Sequence, residues 1–218
     1  MWPTEGNLEA WERRFAAHSA EVGLPDAVRS RLGNVAGKHV LHVGARTGRA
    51  SAELVELGAL VTAIDPSADA LAIAREQAPD AAFFQAELDQ LPLQLRRRRF
   101  ALVYAGEGTL PPEQDVAGFL TAAAAALGRN GRLILHEAHP VAACVDPVGL
   151  RWRDSYFADG RWRLGELAAA TTAAGLSLQD LDELPPPAKE TGGRLDPRMP
   201  THFVLVAVRT AASAAPSG

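Results

Sequence analysis

The sequence predicts a doubly wound α/β fold, and three observations carry that expectation. From residue 37 onward, short β-branched or apolar runs alternate with helical stretches. The runs are apolar on both faces, as strands are when helices cover both sides of a parallel sheet. The first run breaks into "VLHVGARTG" at residues 40–48, a glycine turn at the place where open α/β sheets receive ligands.

In chain order, "HVLHV", "LVTAID", "AAFFQA", "FALVYAG" and "GRLILHE" read as five strands. Between them "RASAELVELG", "SADALAIAREQA" and "DVAGFLTAAAAALG" read as helices. Gly58 ends the first helix, Ser67 caps the second, and Gly128 with Asn130 and Gly131 turns the chain into the fifth strand. An irregular stretch then leads to a helix, "LGELAAATTAAG", and to two apolar runs, "LSLQDLDEL" and "THFVLVAVR". A Pro-rich loop joins these runs where a parallel pair would need a helix, so they are expected to be antiparallel neighbours. Upstream, Leu8, Trp11, Phe15 and His18 recur at spacings of three and four and form one face of an added helix. The expected organisation is one domain over residues 1–209, with a helical cap at 1–34, a candidate lid at 139–162 and a disordered tail at 210–218.

With 218 residues, 47% of them hydrophobic, the chain holds one sizeable core and too little for two ordinary domains. A net charge of −4 gives no general attraction for nucleic acid or for an anionic membrane, and neither is expected as a partner. The chain lacks a signal-like start and any uninterrupted apolar span of about 20 residues, so a cytoplasmic monomer or homodimer is expected. A lone Cys144 excludes an internal disulfide framework. The run Arg96 to Arg99 reads as a solvated loop leading into the fourth strand.

The glycine turn limits the ligand. Gly44 and Gly48 let the backbone bend and approach a ligand closely, and the helix that opens near Gly48 offers unpaired amides. About 20 residues on, Asp65 ends the second strand, where a carboxylate accepts from both hydroxyls of a ribose. The third strand leads to Glu87, placed to reach an adenine amino group, and to Leu88, whose amide faces the ring. These features point to an adenosine nucleoside. The Gly-x-Gly-x-x-Gly spacing of dinucleotide sites is absent.

On these residues the chain resembles class I S-adenosylmethionine-dependent methyltransferases, in particular the small-molecule branch called methyltransferase type 11. The family's first motif, an acid, any residue and then Gly-x-Gly-x-Gly, falls on His42 to Gly48; its ribose acid falls on Asp65, and its adenine-side acid on Glu87 before Leu91-Pro92. The resemblance covers residues 35 to 209 and implies a seven-stranded, mostly parallel sheet with an antiparallel C-terminal strand. It implies S-adenosylmethionine as cofactor, held by His42, Gly44, Arg46, Gly48, Asp65, Pro66, Glu87, Leu88 and Tyr104, and methyl transfer to a small-molecule acceptor. The chain departs from the pattern at His42, where the family has an acid, at Arg46, where it has glycine, and at Ala101, where aspartate is common. Three readings of Arg46 stand: it meets the methionine carboxylate, points to solvent, or spoils the turn. A non-catalytic binding module and a nicotinamide-dependent oxidoreductase are the alternative functions.

Methyl transfer needs alignment and, for a protic acceptor, a base. Tyr104, Glu107, His136, Glu137, His139 and Tyr156 fall near the ends of the fourth and fifth strands or just beyond, with His139 the expected base and Tyr104 a second catalytic candidate. "HEAH" at 136–139 lacks the spacing of the helical zinc motif and runs into Pro140, so no metal is expected. On a strand, His136 and Glu137 face opposite sides. Trp152, Tyr156, Phe157 and Trp162 either form a substrate lid or pack on the core.

Overall fold

The computed structural model describes residues 23–111, 114–145, 151–186 and 198–210. The expected helical face at Leu8, Trp11, Phe15 and His18, and the tail from residue 211, lie outside the described residues.

A helix α1 (Asp26–Leu32) precedes β1 (His39–Val43), α2 (Arg49–Glu56), β2 (Leu60–Asp65), α3 (Ala68–Gln77) and β3 (Ala82–Gln85). There follow a one-turn α4 (Leu93–Arg96), β4 (Phe100–Ala105), α5 (Val116–Ala126), β5 (Leu127–Ala138), α6 (Leu164–Ala173), β6 (Leu176–Leu184) and β7 (His202–Arg209). The seven strands make one sheet in the order β3-β2-β1-β4-β5-β7-β6. The β1–β5 pairs are parallel, whereas β7 runs antiparallel to both β5 and β6. This is the mostly parallel seven-stranded sheet that the sequence predicts, with the last strand inserted between its two predecessors.

The local chemistry explains the boundaries. The Ser67 hydroxyl accepts from the Ala70 amide at the start of α3, and the Asp115 carboxylate caps α5 through the amides of Ala117 and Gly118. Gly58 takes a left-handed conformation (φ 81°) after α2. The fifth strand starts earlier than the turn residues suggest. Leu127 already pairs with Phe100, and Asn130 (φ 59°) bends the strand within a register shift. The four arginines are exposed; Arg96 bonds to the Leu91 carbonyl and Arg99 to the carbonyls of Arg96 and Arg98, while Arg98 reaches the Thr62 hydroxyl of β2.

Both sheet faces are buried, and strand alternation sorts side chains between them. Leu133, Leu135, Phe203 and Leu205 join one apolar cluster; Ile134, Val204, Val206 and Tyr104 join the other. Trp162 belongs to the first cluster, edge-on to Phe203 with centroids 6.0 Å apart, and donates to the Pro111 carbonyl. Arg31 ties α1 to the far edge of the sheet through Asp180 (2.6 Å) and Asp182 (2.8 Å). Among the described residues, no helix is long and apolar enough to cross a membrane.

The order of strands decides where chemistry gathers. The carboxyl ends of β1, β2, β4 and β5 lie on one edge, and the reversed β7 begins there. Arg46, Asp65, Glu107, His136 and His202 therefore come together from five separate parts of the chain.

Candidate active site at the carboxyl edge of the sheet

The turn between β1 and α2 closes onto β2. The amides of Gly44 and Ala45 both donate to the Ile64 carbonyl at 2.9 Å. Gly44 is left-handed (φ 71°), and a Cβ there would lie 2.3 Å from the Thr109 methyl, so the position admits no side chain. Arg46 also holds a left-handed backbone (φ 49°), which costs a non-glycine residue roughly 1–2 kcal/mol. Its amide donates to Asp65 Oδ2 at 2.9 Å and its guanidinium to the Glu107 carbonyl, bonds that offset the strain. The side chain thus crosses from the turn to the loop after β4.

Asp65 is buried, and its two oxygens accept from the Arg46 and Ser67 amides, both at 2.9 Å. A carboxylate has about four acceptor sites, so two remain. They border a cavity of about 760 Å³ whose wall includes Gly44, Arg46, Asp65, Pro66, Glu87 and Leu88, closed opposite by Gly108, Thr109 and Phe119. Six of the nine residues expected at the cofactor thus share one cavity.

The other three lie behind it. Gly48 packs against Ala74 of α3, where a Cβ would come within 2.7 Å of the backbone. His42 is buried under the turn, its Nδ1 2.7 Å from the Ser51 hydroxyl and its ring stacked on Tyr104 with centroids 5.1 Å apart. Burial, and then the nearby Arg46 charge, push the His42 pKa down to about 3, so the ring is neutral. Burial raises the Tyr104 phenol above its ordinary range. Ser51 was not among the sequence candidates, because a serine inside an amphipathic helix carries no distinguishing signal.

A polar niche adjoins the turn on the same sheet face. His202 Nε2 lies 3.4 Å from Glu107 Oε2, and its Nδ1 3.0 Å from the Thr201 hydroxyl. His136 stacks on His202, with centroids 5.3 Å apart and planes within 6°. Burial opposes ionisation of Glu107, but the His202 hydrogen bond and charge, with His136 and Arg46, outweigh it and hold the carboxyl below its ordinary value. On the opposite face, the Glu137 carboxylate accepts from the amides of Gly108, Leu110 and Ala138 at 2.8–2.9 Å. It anchors the loop that carries Glu107 and walls the cavity, while burial raises its pKa to about 7 against those amides.

The His139 amide donates to the Thr201 carbonyl at 2.8 Å, but its side chain is engaged elsewhere. Its Nε2 donates to Glu183 at 2.8 Å and its Nδ1 accepts from the Val141 amide at 3.1 Å, so both ring nitrogens are engaged. It borders a second cavity of about 540 Å³ with Trp152, Tyr156 and Phe157, of which Trp152 and Phe157 are exposed. Among the described residues, no three His, Cys, Asp or Glu side chains are grouped to hold a metal ion.

Residues 40–131 match a family model described as a methyltransferase domain. No curated protein matches the chain. Among solved structures, an S-adenosylmethionine-dependent methyltransferase from Mesorhizobium loti superposes with a TM-score of 0.69 at 23% identity, over 84% of this chain and 96% of that one. Magnesium protoporphyrin IX methyltransferase from Synechocystis PCC 6803, with bound S-adenosylhomocysteine, gives 0.60 at 19% identity, over 84% and 79%. A TehB-like methyltransferase from Corynebacterium glutamicum gives 0.60 at 15% identity, over 95% and 100%. These likenesses extend the shared fold well beyond the matched segment.

Proposed function

We propose that the protein, whose residues 40–131 match a family model described as a methyltransferase domain, transfers the methyl group of S-adenosylmethionine to a small-molecule acceptor. The observation that carries this reading is Asp65, with two unused acceptor sites on a cavity of about 760 Å³ beside the glycine turn. The volume lies within the range of small-molecule sites, and the donor set suits an adenosyl ligand.

Asp65 takes the ribose hydroxyls, and Glu87 accepts from the adenine amino group beside Leu88. Gly44 lets the backbone approach, and Arg46 offers guanidinium donors to the methionine carboxylate. The bound cofactor supplies a methyl group on a good leaving group. The chain's own task is to align the acceptor, exclude water and manage a proton.

Calorimetric titration with S-adenosylhomocysteine tests the reading. Asp65→Asn removes the charge but keeps one acceptor for the turn amides, and should weaken binding by about 1.5–3 kcal/mol, roughly 10- to 150-fold. Absence of binding to the wild type would instead favour a non-catalytic module that keeps the fold.

A further inference from the structure

We propose that His136 receives the proton of a hydroxyl acceptor, in a niche that it shares with His202 and Glu107. The proposal rests on the methyl-transfer reading above and names its acceptor class. The starting observation is an imidazole packed into the sheet edge with its ring nitrogens left open. His136 is 8% exposed, no hydrogen bond of its ring is made among the described residues, and its ring nitrogens are not sealed from solvent. A ring that is held by its neighbours while its nitrogens stay open at the ligand edge can meet an acceptor there.

The geometry places the ring. His136 follows Ile134 on β5, on the face that carries Tyr104 and His42, at the edge where Arg46 borders the cofactor cavity. The Glu107 carboxylate fixes the His202 ring, the parallel His202 ring fixes His136, and the Glu107 carbonyl holds Arg46. One short loop thus links the open imidazole to the turn. Burial, and then the His202 charge, lower the His136 pKa to about 4, with Glu107 opposing, so the ring is a free base at neutral pH.

Charge selects the acceptor. The nucleophile must approach a sulfonium close to Arg46, which disfavours an ammonium and attracts an oxygen that becomes anionic as it reacts. In the step, the acceptor oxygen forms its bond to the methyl carbon as the carbon–sulfur bond breaks, and that electron pair stays on sulfur. The hydroxyl proton passes to His136 and then to solvent. The products are a methyl ether, S-adenosylhomocysteine and one proton.

Phenol and thiophenol make a matched pair of probes, because thiophenol is already largely anionic at neutral pH and needs no base. Wild type and His136→Gln are compared in two ways. In the S-adenosylhomocysteine complex, with histidine labelled for NMR, phenol should shift the His136 ring signal, identified by its loss in the variant. With S-adenosylmethionine, the ratio of phenol to thiophenol methylation should fall about 100-fold or more in His136→Gln, the usual scale of general-base catalysis. The acidic limb of wild-type phenol methylation should lie near pH 4 to 5, below the range of an ordinary histidine. An unmoved His136 signal, or the same ratio in both proteins, overturns the proposal. S-adenosylhomocysteine affinity measured on the same samples separates these outcomes from failure of the cofactor reading.

Discussion

Arg46 occupies the position where a glycine would hold the same left-handed turn without strain, so its side chain must return something. It donates to the Glu107 carbonyl and borders the cavity, where a guanidinium can also meet a carboxylate. Arg46→Gly should therefore weaken S-adenosylmethionine by about 1.5–3 kcal/mol, roughly 10- to 150-fold, and leave 5′-methylthioadenosine, which lacks the amino-acid portion, about unaffected. Titration calorimetry on both ligands decides it; tighter S-adenosylmethionine binding by the variant would mean that the arginine obstructs the site. At this scale the sequence was legible where a residue type has few uses. Asp65 after a strand and Gly44 in a turn announce themselves, whereas the engagement of His42 with Ser51 depends on how α2 lies over β1.

The loop after β4 is the element on which the site hangs, since it carries Glu107 and closes the cavity with Gly108 and Thr109. Few of its own contacts would hold such a loop, and Glu137 does so by accepting three amides across the strand ends. Glu137→Gln leaves one carbonyl oxygen for those donors and turns an NH₂ toward them, which should cost about 2–3 kcal/mol. Hydrogen exchange at the Gly108 and Leu110 amides should speed up while β1 stays protected; unchanged protection there would assign the loop's order to other contacts. Periodicity made the strands and most helices legible, because burial on both faces writes itself into consecutive apolar residues. It could not reveal α4, which is one turn long, nor the start of β5, where glycine and asparagine lie inside a bent strand. The pairing of Glu107 with His202 was illegible for the same reason as the niche itself: the two meet only because β7 inserts beside β5.

Across the whole molecule, the buried titratable groups make stability depend on pH with a sign that can be worked out. His42 and His136 are lowered from 6.5 to about 3 and about 4, so between those values and 6.5 the unfolded chain binds their protons and the folded chain does not. Stability then rises with pH over that window. Glu137 is raised from 4.5 to about 7, so from 4.5 to 7 the folded chain holds a proton that the unfolded chain has lost, and stability falls as pH rises. Glu107, lowered by its partners, adds stability toward the upper side of the carboxylate range. From pH 4.5 to 6.5 the unfolded state binds two of these protons against one in the folded state, so these three groups alone make stability climb by about 1.4 kcal/mol per pH unit, and His139, also lowered by burial, adds to the rise. Urea unfolding at pH 4.5, 5.5 and 6.5 should register a gain of roughly 3 kcal/mol or more over the range. In His136→Gln one proton of the difference disappears, so the same series should climb less steeply than in the wild type. A wild-type protein that loses stability between pH 4.5 and 6.5 would mean that the two imidazoles are charged in the fold, and His136 would then be no base.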